Sequence, residues 1–394
     1  MPLTIQAVST PREFKQFVTF PWTIYRHDPY WVPPLIDDRA ARLDIRRNPY
    51  WQNAERSLWI AYRGEVPVGT LAAIVDHRRN QVLKQSVGAF GFFECIDDKE
   101  VACRLFESAG DWLRLKGMSV MRGPYNPSET DEIGILIAGF DSRPSILEAH
   151  TPPYYASLVE ASGFSPYNQT VARLWRRPPE AKSVEEVIPQ KLQKVAAIVR
   201  KRSDLTIRRL DLRRWDEEIR LACRIYNASL AGLTDFVPLT EEEFKSFADS
   251  FKMIISPEQA LVAEINRKPV GFILGLPDIY EALQHLNGRL WPFGILKLQW
   301  YLHHIHRVSF KILMILPDYQ NRGIETVLVT ELARAAWKKG YQEVDISLTG
   351  DENVKSNRFQ ENLGMKVYRR YRIYEKPLMP ESACKREAKT EILN

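Results

Sequence analysis

The sequence has 394 residues, of which 45% are hydrophobic and 26% charged, a balance that is ordinary for globular proteins and excludes a wholly disordered or collagen-like chain. Its 55 Lys and Arg residues exceed its 49 Asp and Glu residues by only six charges, and they occur in short clusters spread along the chain. A nucleic-acid partner is therefore not expected, whereas a basic surface would suit a polyanionic cofactor or an acidic substrate.

Targeting and membrane signals are absent from the sequence pattern. The longest apolar runs, such as residues 133–140, fall well short of the roughly 20 residues of a membrane-spanning helix, so no membrane partner is expected. The first residues contain neither the basic nor the apolar part of an export signal, which predicts a cytoplasmic protein. The scattered cysteines form no CxxC or CxxH pair and are expected to be reduced.

An internal repeat organises the chain. Two similar segments, LWIAYRGEVPVGTL at 58–71 and LVAEINRKPVGFI at 261–273, each predict a β-hairpin with a polar turn. Gly69 and Gly271 in these segments are 202 positions apart. Gly163 and Gly364, in a second pair of similar segments, are 201 positions apart. Because the two offsets agree, we expect one domain to be duplicated.

Each half also contains an amphipathic helix that ends at a Lys-Gly pair, at 101–116 and 326–339, followed by a short strand. Both halves therefore predict strand, strand, strand, helix, strand, helix and strand, which is an α/β pattern with a mixed sheet. The expected organisation is a first domain at 1–178, a linker helix within 179–204, a second domain at 205–377 and a polar tail at 378–394.

One loop of the second half carries a chemical signal. The apolar strand 308–316 leads into Pro-Asp-Tyr-Gln-Asn-Arg-Gly-Ile-Glu at 317–325, and a helix follows. Such a turn gathers unpaired backbone N–H groups and the positive end of a helix dipole, which suits a phosphate. Gln320 and Arg322 could add side-chain donors, and Gly323 would remove a Cβ from the approach. The alternative interpretation is a plain polar turn.

The corresponding segment of the first half, 92–101, has no glycine. Its Asp97 and Glu100 have capping-box spacing, which would satisfy the helix N-terminus internally and make it acidic. We therefore expect the first half to keep the fold without a phosphate site. Two stiff aromatic loops of this half, 123–127 and 151–155, are interpreted equally as the lining of a substrate cleft or as rigid connectors.

The order strand, Gln-x-x-Gly loop, helix, Gly340, strand, Asn353 and Gly364 resembles the GNAT superfamily of acyl-CoA-dependent N-acyltransferases over most of 205–376. Since the first half repeats this layout, the whole chain is similar to a tandem GNAT protein. The resemblance implies acetyl-CoA or another acyl-CoA as cofactor. It implies pyrophosphate binding by the loop residues Gln320, Asn321, Arg322, Gly323, Ile324 and Glu325. It also implies pantetheine contacts from Leu313, Met314 and Ile315 of the preceding strand and from Asn353 of the next helix.

Two positions depart from the family pattern. Glu325 stands where the family has a small residue and would face phosphates with a carboxylate. Gln360 stands where the family often has a tyrosine that protonates the departing thiolate. The general base is assigned to Asp278, which could instead cap a helix, and the proton donor to Tyr371 or Tyr374, which could instead pack in a sheet. No metal site is expected, although three histidines occur within 303–306.

The expected function is transfer of an acetyl or longer acyl group from acyl-CoA to a primary amine on a small molecule or peptide. The C-terminal half would bind the cofactor and the N-terminal half would shape the acceptor cleft. Two alternatives are a Fem-type aminoacyltransferase, which is also a tandem GNAT fold and takes aminoacyl-tRNA, and a non-catalytic ligand-binding or scaffold protein with a decayed site.

Overall fold

The computed structural model describes residues 1–202, 204–233 and 235–378, so all of the predicted polar tail beyond Leu378 lies outside it. Contacts divide the described residues into two units: unit 1 comprises 1–170 and 369–378, and unit 2 comprises Val171–Tyr368. Both units combine helices with a mixed sheet, which confirms the predicted α/β class. Within the described ranges, no helix has the length and apolar character needed to cross a bilayer.

Unit 1 is built on the strand order β1-β2-β3-β4-β5-β15, where β15 is the strand Lys366–Pro377, and β8 also pairs with β15. Its strands are β1 (Leu3–Ala7), β2 (Ala54–Arg63), β3 (Val66–Asp76), β4 (Val87–Cys95), β5 (Val120–Gly123), β6 (Tyr125–Asn126), β7 (Glu132–Ile133) and β8 (Ile135–Ala138). Its helices are α1 (Pro11–Thr19), α2 (Pro21–Ile24), α3 (Ile36–Leu43), α4 (His77–Leu83), α5 (Lys99–Leu115) and α6 (Tyr155–Ala161). The apolar face of α5 packs on β3 and β4 through Leu105 and Phe106, which are almost completely buried.

Strand β9 (Ser165–Arg176) leads from unit 1 into unit 2, whose strand order is β9-β14-β13-β12-β11-β10. The remaining strands are β10 (Leu205–Arg209), β11 (Ala260–Ile265), β12 (Lys268–Pro277), β13 (Arg307–Ile315), β14 (Glu343–Gly350) and β15 (Lys366–Pro377). The helices are α7 (Val184–Val187), α8 (Gln190–Arg202), α9 (Trp215–Leu230), α10 (Glu241–Phe251), α11 (Tyr280–Leu283), α12 (Gly294–Leu302), α13 (Ile324–Lys338) and α14 (Val354–Asn362).

The sheet of unit 2 is apolar on both faces. Because successive side chains of a strand point to opposite faces, Ala263 and Leu313 pack in the cluster around α13, whereas Val262 and Ile312 face α9 and α10. Helices therefore cover both faces of the sheet, although residues 311–314 of β13 are only partly buried.

The predicted repeat is present in the structure. The elements β2, β3, β4, α5, β5, α6 and β9 of the first half correspond in order to β11, β12, β13, α13, β14, α14 and β15. Gly163 and Gly364, which end α6 and α14, both have a left-handed backbone, with φ of 85° and 76°. Glycine adopts this conformation without the steric cost of a Cβ, which explains why the repeat preserves it.

The structure divides the chain differently from the predicted domain boundaries. Strand β9 belongs to unit 2 from Val171 onward, and strand β15 belongs to unit 1 from Arg369 onward. The last strand of each half is thus part of the other unit. The predicted linker helix is present as α8, but it packs within unit 2, where Ala196 joins the core around α13.

Candidate functional site

Strands β13 and β14 of unit 2 separate part-way along their length. They pair in parallel only where Arg307–Ser309 faces Glu343–Asp345. Beyond these residues, no further pairing joins them in the described part of the chain, although β13 continues to Ile315 and remains bonded to β12 on its other edge. Peptide groups of β13 beyond Ser309 are therefore not paired with β14 and can bind a ligand, except the carbonyl oxygen of Ile315, which accepts from Ser229 and Gln320.

A β-bulge marks the point of separation. The register between β12 and β13 moves from Leu274 opposite Ile312 to Gly275 opposite Phe310, so Lys311 lies opposite no residue. Lys311 is the only charged residue between Phe310 and Ile315. Its Nζ lies 2.5 Å from Ser347 Oγ and 3.5 Å from Asp345 Oδ2, and its side chain is almost fully buried. This lysine is not among the residues predicted from the sequence, where its signal is a lone charge in the apolar segment 308–316.

Asp345 organises the polar groups around Lys311. This carboxylate is completely buried and accepts hydrogen bonds from Ser347 Oγ at 2.8 Å, from Tyr368 Oη at 3.2 Å and from Ser309 Oγ. A buried carboxylate is stable only when its oxygens are paired, so these donors compensate for its desolvation. The network fixes the two strands where they diverge.

The predicted phosphate loop follows β13. A single 3₁₀ turn, Pro317–Tyr319, leads to Asn321 and Gly323, which have φ of 59° and 80°. Helix α13 then begins without a side-chain cap. Within the described residues, the five backbone N–H groups from Asn321 to Glu325 donate to no protein group. The positive end of the helix dipole is thus open, as a phosphate site requires.

The side chains of the loop are placed as follows. Gln320 donates from Nε2 to the carbonyl oxygen of Ile315 at 3.0 Å, so it holds the loop against the end of β13. The exposed guanidinium of Arg322 lies 5.1 Å from the ring centre of Tyr319, which leaves its donors available. Glu325 is half-buried on the first turn of α13.

Gly323 has a different role from the predicted one. A Cβ at this position would lie 2.8 Å from Cγ2 of Val199 and 3.2 Å from Cγ1 of Val195, both on α8. The glycine is therefore required by its left-handed φ and by the close packing of α8, and the missing Cβ does not clear a path for phosphate. The sequence gives no sign of this contact because α8 is more than a hundred residues away along the chain.

The structure places the other predicted cofactor contacts on β13 and at the start of α14. The carbonyl oxygen of Ile315 accepts from Ser229 Oγ at 2.9 Å as well as from Gln320, while Leu313 packs towards α13 and Met314 is half-buried. Asn353 caps α14, since its Oδ1 accepts from the backbone N–H of Ser356 at 3.1 Å. Its amide group keeps donor capacity, and the pantetheine contact stays a prediction.

The geometry does not favour the predicted catalytic residues. Asp278 is fully buried, with Oδ1 3.2 Å from the backbone N of Tyr280 and Oδ2 3.8 Å from Arg307 Nη1. It thus begins the turn into α11, which was the alternative interpretation. Its assignment as a base stays a prediction.

Tyr371 and Tyr374 lie in unit 1, whereas the loop lies in unit 2. Tyr371 Oη accepts from Arg369 Nε at 2.7 Å and donates to Glu148, and Tyr374 Oη donates to Glu160 at 2.9 Å. Burial raises the pKa of Tyr371 and raises the pKa of Tyr374 to about 12. Both side chains are engaged in packing and hydrogen bonding, so their catalytic assignment stays a prediction that the geometry does not support.

Gln360, at the family's tyrosine position, is also a structural residue. It is buried, donates from Nε2 to Thr349 Oγ1 at 2.9 Å and accepts from Arg173 Nη1 at 3.2 Å. The amide satisfies two buried groups that a tyrosine hydroxyl could not reach in the same way.

An apolar cavity lies between the sheet of unit 2 and helices α9 and α10. Glu218 is the one ionisable residue in its wall, and its carboxylate is neutralised by Arg208 at 2.6 Å. Ile312 of β13 contributes to the wall, so the cavity adjoins the strand that has the open edge. The other residues that define its shape include Ile219, Ala222, Phe244, Phe247, Ala248, Phe251, Phe272 and Leu274.

In unit 1 the equivalent opening is filled by the chain itself. Strands β4 and β5 also pair over three residues, ending at Ala89 and Arg122. There Asn126 Oδ1 accepts from the backbone N–H of Phe92 at 2.7 Å, and a Cβ on Gly91 would lie 1.8 Å from the carbonyl oxygen of Tyr125. The loop that begins at Gly123 therefore takes the place that stays open in unit 2.

The helix that follows β4 is capped internally. Asp98, rather than the predicted Asp97, is the N-cap residue of α5, and it accepts from the backbone N–H groups of Glu100 and Val101. Arg63 pairs with Asp98 and with Glu100 at 2.7 Å each. These acidic groups disfavour an anion here, which agrees with the expectation that the first half has no phosphate site.

The second aromatic loop of unit 1 is a rigid connector. Tyr154 Oη donates to the carbonyl oxygen of Cys95, and Tyr155 Oη donates to Glu94, each at 2.9 Å. Tyr25 donates to the same carboxylate oxygen at 2.9 Å. Burial raises the pKa of Glu94, and the two hydroxyl donors partly offset that cost. The loop therefore ties β4 to its neighbours and offers no hydroxyl group to a substrate.

The three neighbouring histidines do not converge. His303 and His304 each direct Nδ1 to a backbone carbonyl of α12, at 2.7 and 2.8 Å, and His306 lies 3.5 Å from Glu281. Among the described residues, no group of three His, Cys, Asp or Glu side chains could hold a metal ion.

Comparison with known proteins is consistent with this geometry. Residues 222–365 match the family described as "Acetyltransferase (GNAT) family". The chain is 31% identical over 372 residues to protein YghO of Escherichia coli, which covers 93% of each chain. It is 30% identical over 383 residues to the bacterial ceramide synthase of Caulobacter vibrioides, which covers 95% of this chain and 98% of that protein.

Solved structures share the fold over the whole length. A tandem GNAT protein from the clavulanic acid biosynthesis pathway has a TM-score of 0.57 at 11% identity, covering 96% of this chain and 100% of that one. A GCN5-related N-acetyltransferase from Sphaerobacter thermophilus has a TM-score of 0.51 at 13% identity, covering 96% of each chain. The predicted tandem GNAT architecture is confirmed, and the chain belongs to the GNAT acyltransferases, in the family that contains YghO and bacterial ceramide synthase.

Proposed function

We propose that the protein is an N-acyltransferase that takes a long-chain acyl group from acyl-CoA and transfers it to the primary amine of a long-chain acceptor. The observation that carries the proposal is the open edge of β13 between an uncapped helix N-terminus and an apolar cavity. The first feature suits the phosphates and amide groups of coenzyme A, and the second suits a hydrocarbon chain.

The donor would be held by unit 2 alone. The N–H groups from Asn321 to Glu325 and the side chain of Arg322 are available for the pyrophosphate. The unpaired peptide groups of β13 offer hydrogen bonds to the amides of the pantetheine arm. When bound, acyl-CoA supplies an activated carbonyl carbon in a thioester. Unit 1 has no equivalent opening along β4, which supports one donor site per chain.

The acyl length is proposed from the cavity. Its wall is formed almost entirely by aliphatic and aromatic side chains, which suit a hydrocarbon chain. An acetyl group would leave such a wall of aliphatic and aromatic side chains unfilled. A ceramide is a fatty acid joined by an amide to a long-chain amino alcohol, so the name of the Caulobacter relative supports a long-chain donor and a long-chain amine.

The reaction forms a C–N bond and breaks the C–S bond of the thioester. The amine loses one proton, and the departing thiolate gains one, so the products are an amide and free coenzyme A. Lys311 is the charged group of this chain closest to the open edge of β13 along that strand. We propose that its ammonium group stabilises negative charge that develops beside the strand, held in place by Ser347 and Asp345.

The test is a chain-length series. Purified protein is mixed with acetyl-, octanoyl- or palmitoyl-CoA and with a long-chain amino alcohol, and the amide product and free thiol are measured. We expect kcat/KM for palmitoyl-CoA to exceed kcat/KM for acetyl-CoA by at least about tenfold, because each buried methylene contributes about 0.8 kcal/mol. Lys311→Gln, which keeps a hydrogen-bond donor without the charge, should lower kcat and leave coenzyme A binding unchanged.

Three results would count against the proposal. Equal rates for all acyl-chain lengths would mean that the cavity does not select the acyl group. Binding of coenzyme A without any amide product would favour a non-catalytic protein. Absence of coenzyme A binding together with salt-sensitive tRNA binding would favour an aminoacyl-tRNA-dependent enzyme.

A further inference from the structure

The connection between β12 and β13 contains a segment without a counterpart in unit 1. Residues 278–306 make this connection and form α11 and α12, whereas 77–86 make the equivalent connection between β3 and β4 with one short helix. The repeat thus shows that the fold does not require the longer segment. His285 stacks on Tyr301 at 4.1 Å between ring centres, which fixes α12 against the turns that follow α11.

Helix α12 and the residues before it expose large apolar side chains. Trp291 is 81% exposed, Phe293 69% and Leu296 66%. Ile295 and Trp300 are exposed by about half. These five residues, called the α12 surface below, lie within ten positions of one another. Scattered exposed apolar residues are ordinary, but a concentration of this kind indicates an interaction site.

The charge of the segment is one-sided. No Asp or Glu occurs between Glu281 and Asp318, whereas Arg289 and Lys297 lie beside the α12 surface and are exposed. Neither of these two side chains forms an ion pair within the described part of the chain. A positive, aromatic and aliphatic surface complements the anionic headgroups and upper acyl chains of a bilayer.

The kinds of residue favour a lipid surface over a protein partner. Tryptophan has an apolar ring and a polar N–H group, so it is stable at the boundary between headgroups and hydrocarbon. Lysine and arginine stems cover apolar surface while their charges reach the headgroups. In a second copy of this chain, by contrast, Arg289 and Lys297 would meet the same charges again, because a symmetric contact repeats the same patch.

We propose that the α12 surface binds the face of an anionic lipid bilayer, with α12 lying in the interface. The expectation that the protein has no membrane partner was based on the lack of a spanning segment, and a helix that lies in the interface needs no such length. The proposal is independent of the proposed activity, since it concerns only lipid binding.

The test is flotation of the purified full chain with vesicles, without acyl-CoA or amine. Vesicles of phosphatidylcholine alone are compared with vesicles that contain about 30% phosphatidylglycerol. We expect wild type to bind the anionic vesicles with a blue shift of tryptophan fluorescence. The triple variant Phe293→Ser/Leu296→Ser/Trp300→Ser should bind about tenfold or more weakly. Arg289→Glu/Lys297→Glu should lose the preference for anionic lipid.

Leu115→Ser is the matched control, because Leu115 is 86% exposed on α5 in unit 1 and should not affect binding. Circular dichroism and the melting temperature establish that each variant is folded. The proposal is overturned if wild type remains unbound by anionic vesicles, or if the triple variant binds as well as wild type. It is also overturned if the triple substitution converts a dimer of the protein into a monomer and has no effect on lipid binding.

Discussion

Arg322 is the side chain through which the loop before α13 is most directly tested. Its guanidinium is exposed beside Tyr319 and can make hydrogen bonds to a phosphate. We expect Arg322→Ala to weaken coenzyme A binding by about 1 to 3 kcal/mol, the scale of a hydrogen bond to a charged group. Isothermal titration calorimetry measures the change. Arg104→Ala is a control, because Arg104 pairs, within the described ranges, with Glu107 on the exposed face of α5.

Substitution of Glu325 should have the opposite effect on coenzyme A binding. Its carboxylate lies on the first turn of α13, beside the open N–H groups. Glu325→Gln removes the charge and keeps helix propensity, so coenzyme A should bind more tightly if phosphates occupy the loop. Unchanged affinity in both variants would mean that the loop is only a turn.

Glu343 provides a pH-dependent test of the paired ends of β13 and β14, beyond which the two strands diverge. Burial alone would raise the pKa of Glu343, but Arg307 at 2.7 Å and Arg176 at 2.8 Å outweigh it and lower the pKa below the ordinary 4.5. A lowered folded-state pKa means that the pair stabilises the protein above about pH 4.5 and that this contribution is lost as the pH falls through the folded-state value.

Glu343→Gln should therefore lower the free energy of unfolding at pH 7 by about 1 to 3 kcal/mol, because the buried Arg307 loses a charged partner. At a pH below the folded-state value, wild type and variant should converge, since Glu343 is then neutral in both. Urea titrations at the two pH values measure the difference. The exposed pair of Glu217 with Arg214 offers a control, because Glu217→Gln should have little effect at either pH. If wild type and Glu343→Gln differ in free energy of unfolding by the same amount at both pH values, the charge of Glu343 is not the source of the stabilisation.

At the scale of elements, helices α9 and α10 decide the size of the cavity. Ala248 of α10 and Ala222 of α9 are small residues in its wall. We expect Ala248→Phe to occupy space that several methylenes would fill. The kcat/KM for palmitoyl-CoA should then fall by about tenfold or more, at about 0.8 kcal/mol per excluded methylene.

Acetyl-CoA serves as the control for the same variant, because a short acyl group does not reach the cavity. Its kcat/KM should be unchanged, and the melting temperature should show that the fold is intact. Equal losses of kcat/KM for both donors would mean that the substitution disturbs β13 or the fold. The cavity would then not be responsible for selection of the acyl chain.

Elements were predictable from sequence where the signal is local. The hairpins with Pro-Val-Gly, the helices with Lys-Gly ends and the loop before α13 depend on neighbouring residues, and the structure contains all of them. The role of Gly323 was not predictable, because it depends on where α8 packs. The bulge at Lys311 and the bonds to Asp345 depend on the register of three strands, which no single segment encodes.

The predicted catalytic residues illustrate the same limit. Tyr371 and Tyr374 have the alternation of a strand, and β15 is indeed a strand. The sequence does not indicate which sheet edge a strand joins, and β15 pairs with β5 and β8 of unit 1. The pattern therefore identified the element but not its neighbouring strands, and Lys311, which no pattern singled out, lies on the open strand β13 itself.

At the scale of the whole molecule, the last strand is essential to the unit formed by the first half of the chain. Arg369 is fully buried in unit 1, with Nη2 3.2 Å from the carbonyl oxygen of Ala149 and 2.9 Å from His150 Nδ1. Tyr371 and Tyr374 are also fully buried. Removing one large buried side chain costs about 3 to 5 kcal/mol, so the loss of this strand exceeds the stability of an ordinary domain.

A chain that ends at Tyr368 should therefore fail to fold residues 1–170, although it lacks none of them. Limited proteolysis with mass spectrometry would show new cleavage sites within 1–170, because backbone that β15 and its side chains protect becomes accessible. A chain that ends at Leu378 keeps every contact described for β15 and is the matched control. If residues 1–170 resist protease equally in both chains, unit 1 does not require β15, and each half of the chain folds without a strand from the other half.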